Sequence, residues 1–202
     1  MSHAIIFTIS SILAFILGSI PTAYLAGRIF KGIDIRQHGS GNVGAANALR
    51  VMGKKIGALV FFFDFIKGFL PVFLLSKFMT GVTLDPREAG LWLGVAAIVG
   101  HVFTPFLGFK GGKGIATGAG VLLGAFPALF LIVTGIWIAV FLFTRIISIS
   151  SLAALVSLVA FSLFFQLKPS ITIVFAMVCL FTVWTHRSNI ARMIKGKESK
   201  MY

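Results

Sequence analysis

Long apolar runs separated by short polar loops dominate the chain. Most of these runs approach or exceed the roughly 20 residues that an α-helix needs to cross a bilayer. The run over 114–144 is too long for one crossing, and Gly124, Phe126 and Pro127 interrupt it where a turn would form. Two half-length helices there would leave a recessed loop before Lys113. The pattern predicts seven transmembrane helices, at 4–27, 56–76, 89–107, 114–124, 127–144, 146–167 and 170–186.

The basic residues decide between six and seven crossings. With seven crossings, most Lys and Arg residues fall on one side of the membrane, and Lys77, Arg87 and Lys168 fall on the other. The positive-inside rule makes the basic side cytoplasmic, so the N-terminus is predicted outside and the C-terminus in the cytoplasm. Six crossings would put the basic tail after His186 outside. We therefore predict an all-α integral membrane protein that forms a single domain over 1–202.

Composition and charge agree with this class. Of 202 residues, 58% are hydrophobic and 11% are charged, which is more apolar than a soluble domain. The net charge of +13 is spread among short loops without interleaved aromatic residues, so no nucleic-acid partner is expected. Cys179 is the single cysteine, which excludes a disulfide within one chain. Because no Lys or Arg precedes Arg28, the first run is predicted to be a retained span and not a cleaved signal peptide.

Three polar segments are predicted on the cytoplasmic side, over 38–50, 108–117 and 186–200. In the first, the glycines beside Ser40 and Asn42 let backbone amides turn toward an anion, and the planar guanidinium of Arg50 suits a phosphate. The same residues match a dinucleotide-binding fingerprint only formally, because a membrane span and not a strand precedes them. A glycine-rich interfacial turn, with Arg50 on a lipid headgroup, is the structural alternative.

The second segment contains Lys-Gly-Gly-Lys-Gly over 110–114. It is not a Walker A motif, because Gly114 stands where Ser or Thr would bind magnesium. Its glycines still allow close backbone approach, the following helix offers unpaired N–H groups, and Lys113 adds a positive charge. A basic hairpin that touches anionic lipid is the alternative.

In the third segment, His186 and Asn189 are three residues apart on a helix and share a face. For His186, a polar anchor at the membrane boundary is the alternative. The cytoplasmic loops hold only Asp34 and Glu198 as acids, so a carboxylate-bound magnesium pair cannot be assembled there. Neither a metal nor a cofactor is expected.

Two further polar features are predicted to be structural. Asp64 and Lys67 lie three residues apart in the second span, where an internal ion pair would offset the cost of each charge in lipid. Direct contact with a substrate is the alternative for this pair. Three serines follow Arg145 and are predicted to cap the helix that begins there, namely Ser148, Ser150 and Ser151.

Taken together and in order, the polar segments resemble those of the acyl-phosphate:glycerol-3-phosphate acyltransferase family. The matching stretches are Ser-Gly-Asn-Val-Gly-Ala-Ala-Asn-Ala-Leu-Arg over 40–50, Gly-His at 100–101 with Phe-Lys-Gly-Gly-Lys-Gly-Ile-Ala-Thr over 109–117, and His-Arg-Ser-Asn-Ile over 186–190. The similarity spans nearly the whole chain and includes Asp64, Lys67 and the tail with Glu198. Two positions depart from the family pattern: Ala46 replaces the usual Thr, which removes a hydroxyl contact, and Pro105 is displaced by one place.

The resemblance implies a seven-helix enzyme of the bacterial cytoplasmic (inner) membrane with its active site on the cytoplasmic side. It implies acyl phosphate as donor, glycerol 3-phosphate as acceptor, and lysophosphatidic acid and phosphate as products. A monomer in membrane lipid is expected. By motif position, the residues that would hold glycerol 3-phosphate are Ser40, Arg50, Lys113, His186 and Asn189, all but Arg50 in catalytic roles. Those that would help to form a phosphate hole for the donor are Asn42, Asn47, Gly111, Gly112 and Gly114.

The mechanism expected from this resemblance is direct transfer, without an acyl group on the protein. Either His186 or the donor's own phosphate could accept the proton. Ser40 lacks an Asp partner that would complete a triad with His186, so a hydrogen-bonding role is favoured over a nucleophilic one. The alternatives to an enzyme are a small transporter for an organic phosphate and a noncatalytic lipid-binding scaffold.

Overall fold

The computed structural model describes residues 3–79 and 85–201, and every regular element in that part of the chain is helical. The α-helices are α1 His3–Ser19, α2 Thr22–Lys31, α3 Ala45–Met52, α4 Lys54–Leu70, α5 Pro86–Val102, α6 Ile115–Ala125, α7 Pro127–Thr144, α8 Ile147–Phe164, α9 Pro169–Thr185 and α10 Arg187–Ile194. A π-helical turn over Pro71–Leu75 extends α4. Short 3-10 turns occupy Ile35–Gln37, Ser76–Met79 and Pro105–Leu107.

Each predicted span lies mostly in helix, and two of them are interrupted. The span predicted over 89–107 is interrupted at residues 103–104, between α5 and a 3-10 turn. The span predicted over 4–27 is divided at Pro21 into α1 and α2. Proline has no N–H to donate and crowds the preceding turn, so it breaks the helix at that point. Two side chains bond carbonyl oxygens at this break: Thr104 Oγ1 donates to Ser19 at 2.6 Å, and Lys67 Nζ donates to Ile20 at 2.8 Å.

Five helical stretches of the described residues are long and apolar enough to cross a bilayer: His3–Lys31, Lys54–Leu75, Pro86–Leu107, Pro127–Thr144 and Ile147–Phe164. Helices α9 and α10, bent by 61° at their junction, form a sixth if they are counted together. The all-helical membrane fold is confirmed at this level. The seventh crossing and the orientation of the termini stay predictions.

The two helices within 114–144 differ in length, which corrects the expectation that both are half-length. Helix α6 has 11 residues, so at ~1.5 Å per residue it covers about 17 Å, roughly half of the hydrocarbon core. Helix α7 has 18 residues and covers about 27 Å, close to the full core. The short helix is therefore the one that follows Lys113.

Packing divides the chain into two compact units, Met1–Ala125 and Phe126–Tyr202, and the single domain over 1–202 stays a prediction. In the first unit, α1 packs on α5 and α4 packs on α6. Glycines permit these close approaches, because a Cβ on Gly18 would lie 2.1 Å from the Ala97 carbonyl oxygen and one on Gly120 would lie 2.0 Å from that of Phe65. Such small-residue contacts are typical of helices packed in lipid.

In the second unit, α8 packs on both α7 and α9. The predicted serine cap of α8 is wrong, because the helix is preceded by Ile146, whose side chain makes no capping bond. The hydroxyls of Ser150 and Ser151 instead donate back to carbonyl oxygens one turn earlier, at 3.0 and 2.8 Å. Such back-bonding is common where a serine side chain has no water to bond.

Candidate functional site

The first polar segment forms a loop over residues 38–44, here called the serine loop. Asn47, in the first turn of α3, holds this loop from inside and is 1% exposed. Its Nδ2 donates to the carbonyl oxygens of His38 and Asn42, each at 3.0 Å, and its Oδ1 accepts the Ser40 N–H at 2.9 Å. Both amide N–H groups of Asn47 are therefore used by the backbone of the loop.

This arrangement differs from the predicted direct contact of Asn47 with a donor phosphate. A side-chain amide has two N–H donors, and here the loop backbone takes both. Asn47 therefore fixes the position of Ser40. Gly39 is needed for the same contact: its φ is +60°, and a Cβ there would lie 2.3 Å from Asn47 Oδ1.

The remaining predicted residues of this segment lie at its surface. Ser40 is exposed, Asn42 is half-buried, and Arg50 is exposed in the last turn of α3. A hydroxyl, an amide and a guanidinium are thus carried by one short loop and the helix that follows it. They are groups that bond anionic oxygens well.

A charged cluster precedes the serine loop. Arg36 Nη2 lies 2.6 Å and Arg28 Nη2 lies 3.6 Å from Asp34 Oδ2. Hydrogen bonds from the Arg36 side chain lower the pKa of Asp34 from 3.8 to about 2, against the opposing effect of burial. His38 Nδ1 lies 2.9 Å from the Asp34 carbonyl oxygen, which can only accept, so Nδ1 carries the proton. The entry to the serine loop is thereby fixed by charge and by hydrogen bonds.

The second polar segment, residues 108–114 and here called the glycine loop, folds back onto the last turn of α5. The Gly111 N–H donates to the Val102 carbonyl oxygen at 2.9 Å, and the Gly112 N–H donates to that of His101 at 3.0 Å. The end of a helix leaves such carbonyl groups without partners within the helix. The glycine loop supplies those partners and is held against α5 in return.

The glycine loop ends at the start of α6. Gly114 has a φ of +87°, in the left-handed region that favours glycine, and it turns the chain into the helix. Lys113, half-buried, stands immediately before this turn. The first N–H groups of a helix lack partners within it and attract anions, so a lysine charge and a helix N-terminus occur together here.

The serine loop and the glycine loop both lie next to one hydrophobic cluster. Leu107, next to the glycine loop, belongs to a buried cluster with residues that flank and support the serine loop. The buried members are Ala23, Ala26, Ile35, Val43, Ala48, Met52, Val60 and Leu107. The structure therefore anchors both predicted anion-binding loops on one hydrophobic cluster.

The predicted ion pair inside the second span is confirmed. Lys67 Nζ lies 2.7 Å from Asp64 Oδ1, and the two side chains are 6% and 1% exposed. The Thr22 hydroxyl also donates to Asp64 Oδ1. Each of the two charges is thus paired within the fold, as expected for a structural role.

In the second unit, His186 follows α9 and is 3% exposed. Its Nδ1 lies 2.8 Å from the carbonyl oxygen of Thr182, which can only accept a hydrogen bond. In the neutral imidazole the proton is therefore on Nδ1, and Nε2 carries the lone pair. This tautomer presents Nε2 as an acceptor or a base.

Asn189, in the first turn of α10, is held by the C-terminal tail. Its Nδ2 donates to Glu198 Oε1 at 2.5 Å, and Ser148 Oγ donates to the same oxygen at 2.8 Å. Arg192 Nε donates to Glu198 Oε2 at 2.6 Å. Burial acts to raise the pKa of Glu198, but the bonds from Arg192, Asn189 and Ser148 outweigh it and leave the pKa below its ordinary value.

The contact of Glu198 with Asn189 is the part of the site that residue patterns did not reveal. The sequence predicts Glu198 only as a loop acid and a tail residue of the resemblance, and Ser148 as part of a helix cap. Gly196, with a φ of +63°, turns the tail back, and the Met201 N–H donates to the Arg145 carbonyl oxygen at 2.9 Å. A glycine shortly after a basic amphipathic helix was the one local signal of this return.

A family model for glycerol-3-phosphate acyltransferases matches residues 8–196. The chain is 40% identical over 190 residues to the glycerol-3-phosphate acyltransferase of Macrococcus caseolyticus, with 94% of each protein covered. It is also 40% identical over 190 residues to that of Bacillus subtilis, which covers 94% of this chain and 95% of the relative.

Solved structures of a glycerol 3-phosphate acyltransferase are also similar to this chain. The chain is similar to the crystal structure of PlsY (YgiH), an integral membrane glycerol 3-phosphate acyltransferase, in its glycerol 3-phosphate form, with a TM-score of 0.87 and 35% identity. That match covers 97% of this chain and 96% of the solved one. The lysophosphatidic acid form of the same protein matches with a TM-score of 0.86.

Proposed function

The chain belongs to the glycerol-3-phosphate acyltransferase family, and on that basis we propose how it carries out the reaction. It is a membrane enzyme that acylates glycerol 3-phosphate to lysophosphatidic acid. The donor we propose is a fatty acyl phosphate, and the acceptor group is the 1-hydroxyl. Phosphate is the second product.

The transfer is direct. The oxygen of the 1-hydroxyl attacks the acyl carbonyl carbon, the bond from that carbon to the phosphate oxygen breaks, and phosphate departs with its electron pair. An acyl phosphate is already activated, so positioning and charge stabilisation provide most of the acceleration. No acyl group needs to pass through Ser40, and neither a metal nor a cofactor takes part.

Five side chains hold glycerol 3-phosphate in this proposal: Ser40, Arg50, Lys113, His186 and Asn189. Support comes from their positions in the family motifs and from the chemistry of their groups, which are a hydroxyl, two cations, an imidazole and an amide. Asn42 and the turn at Gly114 accommodate the donor phosphate. The N–H groups of Gly111 and Gly112 already bond carbonyl oxygens of α5, so these two glycines contribute by shaping the loop that presents Lys113, and not by the predicted direct contact with the phosphate. Asn47 contributes by fixing Ser40.

The 1-hydroxyl must lose its proton during the attack. The hydrogen bond from His186 Nδ1 to Thr182 supports His186 as the base, because it favours the tautomer in which Nε2 carries the lone pair. The donor phosphate is the alternative acceptor of the proton. Nearly full turnover in His186→Gln would assign the proton to the donor phosphate, whereas a large loss in kcat would favour His186.

We also propose that the site faces the cytoplasm of a bacterial inner membrane, that the chain crosses the membrane seven times with its N-terminus outside, and that it acts as a monomer. The distribution of Lys and Arg residues supports this orientation. A cysteine introduced at position 2 and one at position 199 should react from opposite sides of sealed vesicles. Reaction of both from the same side would contradict the seven crossings.

The observation that carries the proposed mechanism is the glycine loop, which brings Lys113 to the N-terminus of α6. Purified protein in detergent, given palmitoyl phosphate and glycerol 3-phosphate with a metal chelator, should release phosphate and lysophosphatidic acid in equal amounts. Lys113→Ala should lose nearly all turnover. Lys110→Ala, an exposed lysine of the same loop, is the matched control and should retain most of it.

Two results would overturn this proposal. Lysophosphatidic acid formation by folded protein only with a different acyl donor would exclude acyl phosphate. Wild-type turnover in Lys113→Ala would exclude the proposed role of the glycine loop.

A further inference from the structure

His101 is a buried histidine to which the reaction above assigns no part. It lies in the last turn of α5 and is 6% exposed. Its Nδ1 faces Asp64, with 3.7 Å between Nδ1 and Asp64 Oδ1. The other edge of the ring faces the glycine loop.

The contact between the ring and the glycine loop is tight. A Cβ placed on Gly112 would lie 2.1 Å from His101 Nε2 and 2.6 Å from Cε1. The Gly112 N–H also donates to the His101 carbonyl oxygen at 3.0 Å. One residue of α5 therefore contacts the loop through both its backbone and its side chain, directly before Lys113.

Groups on two other helices support the ring on the side that faces Asp64. Asp64 and Lys67, both on α4, form the ion pair described above, and Lys67 Nζ donates to the Ile20 carbonyl oxygen at the break between α1 and α2. The Thr22 hydroxyl, on α2, donates to Asp64. Groups fixed in this way restrict the positions that the imidazole can take.

We propose that His101 is a positioning residue for the acyl transfer. Its imidazole lies between Asp64 and Gly112, and this contact fixes the position of the glycine loop and therefore that of Lys113. This inference rests on the proposed role of the glycine loop in binding phosphate. It assigns a task in the reaction to the buried Asp64–Lys67 pair as well, because the pair holds the ring in place. It also accounts for the surroundings of position 112, where a Cβ would meet the ring of His101 and not backbone atoms.

A double-mutant cycle tests the contact. Gly112→Ala should lower kcat/KM for lysophosphatidic acid formation about 100-fold, because its Cβ meets the ring and displaces the loop. His101→Asn keeps a polar group at the Nδ1 position but removes Nε2 and Cε1, and it should lower kcat/KM by roughly threefold to tenfold. In the His101→Asn background, the loss in kcat/KM caused by Gly112→Ala should then be at least about tenfold smaller than in the wild type.

Gly111 supplies a matched control. A Cβ on Gly111 would meet the carbonyl oxygens of His101 and Val102, at 2.0 and 2.7 Å. These backbone atoms remain in the His101→Asn variant, so the loss caused by Gly111→Ala should be the same in both backgrounds. If His101→Asn only loosened the packing, it would change the losses caused by Gly111→Ala and Gly112→Ala equally. The melting temperature of each variant shows whether it is folded.

Equal losses from Gly112→Ala with and without the imidazole would overturn the inference, provided that Lys113→Ala is inactive in the same assay. If Lys113→Ala is fully active, the proposed role of the glycine loop fails first. A positioning role for His101 is supported if His101→Asn reduces the loss caused by Gly112→Ala and leaves the loss caused by Gly111→Ala unchanged.

Discussion

Asp64 in the first unit and Glu198 in the second are carboxylates with similar partners in different surroundings. Each accepts hydrogen bonds from a hydroxyl and pairs with a cation. Asp64 is 1% exposed and its partner Lys67 is 6% exposed. Glu198 is 8% exposed, but its partner Arg192 is 38% exposed. The first pair lies inside an apolar helix, and the second joins α10 to the tail.

This difference separates a pair that the fold requires from one that orients a side chain of the site. Removing one partner of a fully buried pair leaves the other charge without compensation in a medium that solvates it poorly. A pair at the surface can be broken at little cost, because water replaces the lost partner. Glu198 bonds Asn189 directly, so we expect its loss to affect the reaction more than the fold.

The largest effect is expected at the buried pair. Asp64→Ala leaves the Lys67 ammonium buried and unpaired, which should lower the free energy of unfolding by about 3–5 kcal/mol. The yield of folded protein and its melting temperature in detergent should both fall. Asp64→Leu combined with Lys67→Met removes both charges at similar volume and should recover most of the stability. A wild-type melting temperature for Asp64→Ala alone would show that the pair does not stabilise the fold.

A smaller and different effect is expected at the tail. Glu198→Gln removes the charge that strengthens the hydrogen bonds from Asn189, Ser148 and Arg192, so kcat should fall about tenfold. The melting temperature should fall by only a few degrees, far less than in Asp64→Ala. Lys197→Gln, at the exposed neighbouring position, should leave kcat unchanged. Loss of folded protein in Glu198→Gln would remove the contrast between the two carboxylates.

The same carboxylate predicts how the tail responds to pH. Its pKa is below the ordinary value of 4.5 in the fold, so the unfolded state binds protons first as pH falls. The stabilisation is therefore fully present above pH 4.5 and is lost as pH drops through the lower, folded pKa. Hydrogen exchange of residues 195–201 should accelerate in that acidic range, after correction for intrinsic rates. Glu198→Gln should show no such step.

The sequence predicted the helices of this protein well, because apolar runs of spanning length leave few alternatives in lipid. The limits of α7 agree with the predicted span at both ends, over 127–144. The break at Pro21 was not predicted, although Ser19, Pro21 and Thr22 mark it locally. Its consequence, carbonyl groups that Thr104 and Lys67 then bond, depends on contacts far apart in the chain.

The residues of the site could be named from motif position, but not the partners that orient them. The spacing of His186 and Asn189 predicts a shared face, yet only the fold shows that Glu198 returns to bond Asn189. Asn47 illustrates the same limit: an asparagine beside glycines suits both anion binding and loop support. Its three short hydrogen bonds to the serine loop distinguish the two.

The smallest effect sharpens the comparison within one helix. Ser148 Oγ donates to Glu198 at 2.8 Å, whereas Ser150 Oγ donates back to the Ile146 carbonyl oxygen at 3.0 Å. Ser148→Ala removes one of the bonds to the carboxylate, so it should lower the free energy of unfolding by about 1 kcal/mol and kcat about twofold. In Ser150→Ala the Ile146 carbonyl keeps its bond from the Ser150 N–H at 3.2 Å, so no buried group loses its partner.

Ser150→Ala should accordingly stay within about 0.5 kcal/mol of the wild type and keep its kcat. Thermal unfolding and turnover of the two alanine variants, measured side by side, check the difference. Both serines are buried in the first turn of α8 and both changes remove a single hydroxyl. Equal effects would mean that the bond from Ser148 to Glu198 contributes no more to stability and turnover than the bond that Ser150 makes within its own helix. The tail would then orient Asn189 through Arg192 and Glu198 alone.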